Sequence, residues 1–257
     1  MGSSQLQDKV ILITGALGKA GRAAIPFFLE RGASVAACDI KPASEFADQE
    51  QLQKLHGNNR LLYVEGDMTD EKQVQSLMDA IKQYFGRLDG CYHNVYVSRS
   101  KLISELSLDD WETAIRGTLT SAFLVCKYAA KLMKETGGGS IVNTSSIMGG
   151  AFVRPRSAGY SAGKAALEQL TRVAAAEFAR DGIRVNAVVP GDFKTVETIE
   201  RLGPNYMKDT TLIGRTGFPN EINAVAAFLL SDEASYVTGS MYPVDGGLVI
   251  QNRHESG

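Results

Sequence analysis

Val10-Ile11-Leu12-Ile13-Thr14 runs straight into Gly15-Ala16-Leu17-Gly18-Lys19-Ala20-Gly21. The first five residues are short, apolar and unalternated, the pattern of a strand buried on both faces. The glycines that follow let backbone come close to a ligand. A helix starting there directs its free N–H groups and positive end at an anion such as a pyrophosphate. Glycine-rich turns also arise for purely structural reasons. The position of this one, after the first strand of a β-α-β unit, favours a dinucleotide site.

The same alternation continues outward from this junction. Strand-like runs fall at Val10–Thr14, Ser34–Asp39, Leu61–Glu65, Gly90–Asn94, Ser140–Asn143, Arg184–Val189 and Met241–Val244. Helical patterns lie between them at about 20–31, 43–56, 70–85, 108–134, 157–181 and 219–231. Ser107 before Leu108-Asp109-Asp110 reads as an N-cap, and Gly137-Gly138-Gly139 as the stop of the same helix. Strand and helix in strict alternation predict an α/β fold: a parallel sheet with helices on both faces, joined by right-handed crossovers. No linker or repeat divides residues 1–257, so one domain is expected. The irregular segment 192–216, with Gly203-Pro204-Asn205 in it, is expected to form a substrate lid beyond the strand ends.

Composition narrows the function. A net charge of −2 over 257 residues disfavours nucleic acid or an anionic membrane as the main partner. Cys38, Cys91 and Cys126 are scattered, there is no C-x-x-C, and three histidines are too few and too dispersed to suggest a metal site. No apolar run is long enough to span a bilayer, and the start resembles no signal peptide, so a cytoplasmic protein with reduced thiols is expected.

At the end of the second strand, Asp39 can accept hydrogen bonds from both ribose hydroxyls of NAD and would repel the extra phosphate of NADP. Lys19 and Lys41 are close enough in sequence to oppose that preference in part. NAD is the expected coenzyme, with NADP second. Asp67 and Met68, after the third strand, stand where adenine could be read; the competing reading of Asp67 is a helix cap.

Tyr160-Ser161-Ala162-Gly163-Lys164 places a phenol and an amine on one helix face, with Ser146 fourteen residues upstream. A free tyrosine is a poor base at neutral pH; lowering its pKa by two to three units takes about 3–4 kcal/mol. A nearby ammonium and a nicotinamide cation favour the phenolate. Such a tyrosine can exchange a proton with an alcohol or carbonyl, and a serine can hold the substrate oxygen.

With these residues in view, the chain resembles the short-chain dehydrogenase/reductase superfamily, in its single-domain branch. The likeness runs through the glycine turn, Asp39, Gly66-Asp67-Met68, Asp89 to Asn94 and Ile141-Val142-Asn143-Thr144-Ser145-Ser146. It continues through Tyr160 and Lys164, Arg184-Val185-Asn186, Pro190-Gly191, Gly214-Arg215, Tyr236 to Ser240 and Val244-Asp245-Gly246-Gly247. The resemblance implies a Rossmann-type, seven-stranded, three-layer fold, hydride transfer with nicotinamide, and a homotetramer or homodimer. It assigns substrate orientation to Ser146, with Ser145 as the competitor, and proton transfer to Tyr160. Lys164 would take the nicotinamide ribose, Asn94 a place beside the coenzyme, and Thr195, after Pro190-Gly191, the carboxamide.

Three departures stand out. The middle glycine of the turn is Gly18 rather than position 19, a spacing found in the longer, epimerase-like branch; Lys19 takes the vacated place and can touch a phosphate. Asn94 is followed by Val95-Tyr96 instead of Ala-Gly, so a ring at Tyr96 narrows the groove, walls the substrate, or packs on a helix. Thr118 stands where the family carries a catalytic Asn that holds a water linking the lysine to solvent. Arg154, Arg156, Arg99, Lys101 and Lys194 fall on the surrounding loops, and Arg154 and Arg156 in particular point to an anionic substrate. The expected activity is interconversion of a secondary alcohol and its ketone or aldehyde. The alternatives are an epimerase or dehydratase that recycles bound NAD, which the chain length disfavours, and a non-catalytic nicotinamide-binding regulator.

Overall fold

The computed structural model describes residues 5–46, 48–57, 59–203 and 205–251. Seven strands form one parallel sheet: β1 (Val10–Thr14), β2 (Ser34–Asp39), β3 (Leu61–Glu65), β4 (Gly90–His93), β5 (Gly139–Thr144), β6 (Ile183–Pro190) and β7 (Met241–Val244). Their order is β3-β2-β1-β4-β5-β6-β7. The order reverses between β1 and β4, which opens a crevice at the carboxyl ends of those two strands. The helices are α1 (Lys19–Leu29), α2 (Gln49–His56), α3 (Glu71–Phe85), α4 (Leu108–Ile115), α5 (Ser121–Thr136), α6 (Ala158–Phe178), α7 (Val196–Leu202) and α8 (Pro219–Leu230).

Alternate residues of each strand feed opposite faces. Val10 and Leu12 join a cluster with Val74, Leu77, Val125, Ile141 and Val185 under α3, α5 and α6. Ile11 and Ile13 join Ile25, Phe28, Val35, Val142, Val188 and Ile222 under α1 and α8. Each fully buried aliphatic or aromatic side chain adds about 1.5–3 kcal/mol, so the two faces together fix the strand register. The three cysteines are free thiols buried in these layers. No helix of the described residues is long and apolar enough to cross a membrane.

Local chemistry sets the ends. Ser107 Oγ accepts the Asp110 N–H at 3.1 Å to start α4, and Gly137 in the left-handed region ends α5. Two sequence expectations need correction. The helix expected over 108–134 is broken by a π-helical turn at Arg116–Thr120. The break follows from packing: a Cβ on Gly117 would stand 2.3 Å from Val97 Cγ2, so the loop after β4 presses into the helix there. The segment 43–56 is a short turn at Ala43–Glu45 followed by α2, not one helix. In the segment 192–216 the structure forms α7, and Pro204 of Gly203-Pro204-Asn205 lies outside the described residues.

Candidate active site

A groove of ≈ 480 Å³ lies at the switch point. Gly15, Leu17, Gly18, Asp39, Asp67, Met68, Asn94 and Tyr96 line it, together with Ile40, Lys41, Thr113 and Arg116. At its head, the first turn of α1 holds no acidic residue and its N-cap, Gly18, offers no side chain. The N–H groups of Lys19, Ala20 and Gly21 therefore keep the positive helix end for a bound anion. Gly21 is required by a close approach: a Cβ there would sit 2.3 Å from the Gly15 carbonyl oxygen. Lys19 is exposed at the rim, while Ala20 and Gly21 are buried behind the turn.

Two backbone N–H groups hold Asp39. Its carboxylate accepts the Leu17 N–H at 2.8 Å and the Lys41 N–H at 3.2 Å. The Lys41 ammonium is turned to Glu45 at 2.6 Å, so it does not neutralise Asp39. Asp67 Oδ1 accepts the Thr69 N–H at 2.8 Å, a local turn. The cap of α3 is Asp70, which takes the N–H groups of Lys72 and Gln73, so the capping role considered for Asp67 belongs to its neighbour. Met68 is buried in the core beneath.

Next to the groove, α6 brings Tyr160 and Lys164 against the end of β5. Lys164 is fully enclosed and donates to the Thr144 carbonyl at 2.5 Å. Thr144 Oγ1 in turn donates to Asn94 Oδ1 at 2.7 Å, which fixes Asn94 at the groove wall. Ser146 accepts the Met148 N–H at 3.2 Å and lies close enough to the Tyr160 phenol to draw its pKa down. Ser145 is spent elsewhere, donating to Glu168 at 2.9 Å. Of the two candidate serines, Ser146 is the one that meets the phenol.

Burial dominates the electrostatics here. It pulls the Lys164 ammonium down to about 7 and pushes the Tyr160 phenol up to about 12, where Tyr96 adds to the rise and Ser146 opposes it. The sequence reading expected the lysine to lower the tyrosine; in the protein alone, desolvation wins and the phenol stays protonated.

Two residues carry more than the sequence suggested. His93, fully buried at the end of β4, sits between Thr14 Oγ1 at 2.8 Å and Ser121 Oγ at 3.3 Å. Ser121 donates to the Gly117 carbonyl, so the ring donates through Nε2 and accepts through Nδ1. Burial, followed by the nearby Lys164 charge, drops His93 to about 3, and it stays neutral. It ties the glycine turn to the π-helical turn, a link that only the sheet order reveals. Thr118 donates to the Val97 carbonyl at 3.2 Å and accepts its N–H at 3.4 Å. Its hydroxyl thus pins the loop that carries Tyr96.

Of the cations on the surrounding loops, Arg99 and Lys101 both pair with Asp110, and Lys194 pairs with Asp192. Arg154 and Arg156 are exposed, with no ion pair or side-chain hydrogen bond among the described residues. Arg156 holds a left-handed backbone, φ 66°. Pro190 ends β6 with Gly191 just after it, and Thr195 stands at the N-cap position of α7 without a side-chain cap bond; none of the three lines the groove.

The sheet order and the groove at its switch point define a doubly wound α/β protein built to hold a nucleotide. Residues 18–249 match the family described as enoyl-(acyl carrier protein) reductase. The chain is 36% identical to the 3-oxoacyl-[acyl-carrier-protein] reductase of Thermotoga maritima over 250 residues, 96% of this chain and 100% of that protein. It is 39% identical to the cis-4-hydroxycyclohexanecarboxylate dehydrogenase of Sinomonas cyclohexanicum over 243 residues, 93% and 96% of the two chains. Its fold matches a short-chain type dehydrogenase/reductase from Mycobacterium ulcerans with a TM-score of 0.88 and 29% identity, covering 96% and 92% of the chains. The chain belongs to the short-chain dehydrogenase/reductase family, whose members are oxidoreductases acting on alcohol and carbonyl groups.

Proposed function

We propose that the protein is an NAD(H)-dependent dehydrogenase that interconverts a secondary alcohol and its ketone, with Tyr160 as the general acid and base. The observation that carries this reading is the meeting of Ser146, Tyr160 and Lys164 beside a groove with Asp39 in its wall. The groove suits a dinucleotide: an uncapped helix start for the pyrophosphate, Asp39 for the adenosine ribose, and Asp67 with Met68 for the adenine. Asn94 and Lys164 would border the nicotinamide ribose, and Pro190, Gly191 and Thr195 the carboxamide. When bound, the coenzyme supplies or accepts the hydride.

The protein's own groups handle the proton. In reduction, Ser146 Oγ–H orients the carbonyl oxygen and the Tyr160 phenol donates its proton as the carbon is reduced. Burial already keeps that phenol protonated. In oxidation the phenolate takes the proton back from the alcohol. Positive charge beside the ring favours that form, and Lys164 is the residue placed to supply it. Thr118 has spent its donor on Val97 and keeps one lone pair, so its role is chiefly to position the loop.

The substrate we propose carries an anionic group, met by Arg154 and Arg156 in the loop between Ser146 and Tyr160, which have no ion-pair partner among the described residues. The name of the Sinomonas relative, a hydroxy-acid dehydrogenase, accords with this class. Exposed Trp111, Phe123 and Val173 on α4, α5 and α6 support assembly as a homodimer or homotetramer.

Coenzyme choice tests the reading. A phosphate within about 4 Å of the Asp39 carboxylate meets about 4 kcal/mol of repulsion per unit charge at an effective dielectric near 20. Calorimetric titration should show NADH binding more tightly than NADPH, with Asp39→Ala erasing most of the difference. Tighter NADPH binding by the wild type would refute the assignment.

A further inference from the structure

Tyr96 does not pack away on a helix; its ring lies 5.5 Å from the Tyr160 ring, edge to face at 71°. The Lys164 Nζ is 5.7 Å from the Tyr96 centroid and 5.6 Å from that of Tyr160, so both rings flank the amine. Tyr96 also lines the nucleotide groove, which puts it between that groove and the reacting pair.

The backbone on either side is fixed. The Asn94 N–H donates to the Thr14 carbonyl at 3.2 Å, and both polar backbone groups of Val97 are bonded to Thr118. The residue is 59% exposed and its hydroxyl has no hydrogen-bond partner among the described residues. One edge-to-face contact and the facing cation are what hold it. A side chain so placed can turn about Cα–Cβ while its loop stays still.

We propose that Tyr96 is a gate between the nucleotide groove and the reacting pair: its ring covers Tyr160 and Lys164 and swings aside to admit the nicotinamide ribose. The proposal rests on the coenzyme reading given above. It also explains how a ring is tolerated where the family leaves space for coenzyme. The covered form is one conformer of an equilibrium, and the coenzyme enters through the other. A closed ring also shields both reacting groups from solvent.

The test compares wild type, Tyr96→Ala and Tyr96→Phe by stopped-flow binding of NADH and NADPH. An aromatic pair holds weakly, so a gate reduces the association rate by only about 3- to 10-fold. Tyr96→Ala should recover that factor in association, while Tyr96→Phe, which keeps the ring, should match wild type. A readout without coenzyme is reductive methylation of Lys164, followed by mass spectrometry. It should run faster in Tyr96→Ala than in the other two. Equal association rates, or a change confined to dissociation, would overturn the gate and leave a fixed wall. Equal methylation of Lys164 would overturn it independently of any coenzyme. Binding of neither coenzyme to any of the three proteins would refute the proposed function and the gate with it.

Discussion

The two halves of the site are built from different materials. The nucleotide half is made of backbone: a helix start, the carbonyl that Gly21 must clear, and an Asp39 carboxylate held by two N–H groups. The reacting half is made of side chains set against one another: Tyr160 edge to face with Tyr96, and Lys164 between the two rings, with Ser146 near the phenol. Backbone geometry tolerates little change and suits a ligand that stays the same. Side-chain contacts can be exchanged singly, which is where substrate choice can vary without disturbing the fold.

Substitutions in the reacting half should therefore alter chemistry while leaving nucleotide binding largely in place. The largest effect is expected from Tyr160→Phe, which removes the proposed proton donor; kcat should fall by about 10²–10⁴ with the coenzyme dissociation constant changing far less. Parallel losses in both would show that the halves are not separable.

A smaller change is expected on the substrate side. Replacing Arg154 and Arg156 together by Ala should raise KM about 10-fold or more for a carboxylate substrate and leave that for a neutral alcohol nearly unchanged. Equal effects on both would remove the anionic assignment. Arg99, Lys101 and Lys194 are poorer candidates because each already has an acidic partner.

The last expected effect is on stability and leaves the chemistry aside. Lys164 falls from an ordinary 10.5 in the unfolded chain to about 7 in the folded protein. Between those values the unfolded chain binds the extra proton, so this group makes stability rise with pH from 7 to 10.5, and its full penalty stands below 7. Lys164→Met relieves that penalty, less the bond to Thr144. Calorimetry of the coenzyme-free protein should show a higher Tm, by about 2–4 °C for each kcal/mol relieved. The gap should be widest below pH 7 and close as pH approaches 10.5. A lower Tm for the variant below pH 7 would mean that the lysine is stabilising despite its burial.

The contrast also explains what could be read from the chain. Strand periodicity, the β1–α1 glycines, Asp39 and the Tyr160–Lys164 spacing are local signals, and each lies where its local chemistry required. The break in the helix at Arg116–Thr120 was hidden because its cause is Val97, from another element. His93 looked like one of three scattered histidines until β1 and β4 became neighbours and put Thr14 beside it. The rise of the Tyr160 phenol in the coenzyme-free protein is hidden for the same reason: charge is visible in a sequence, whereas the burial that dominates here is not. The pairing of Lys194 with Asp192 was within reach, since the two are only two residues apart.

The most direct test of the central claim is net coenzyme turnover. Purified protein would be mixed with NADH and a panel of ketones that includes cyclic keto acids, and reduced nicotinamide followed by its absorbance beside product analysis. The account predicts one NADH consumed per alcohol formed, with NADH preferred over NADPH and the reaction lost in Tyr160→Phe. Substrate conversion with no net change in NADH, or coenzyme binding with no chemistry on any of the panel, would contradict it.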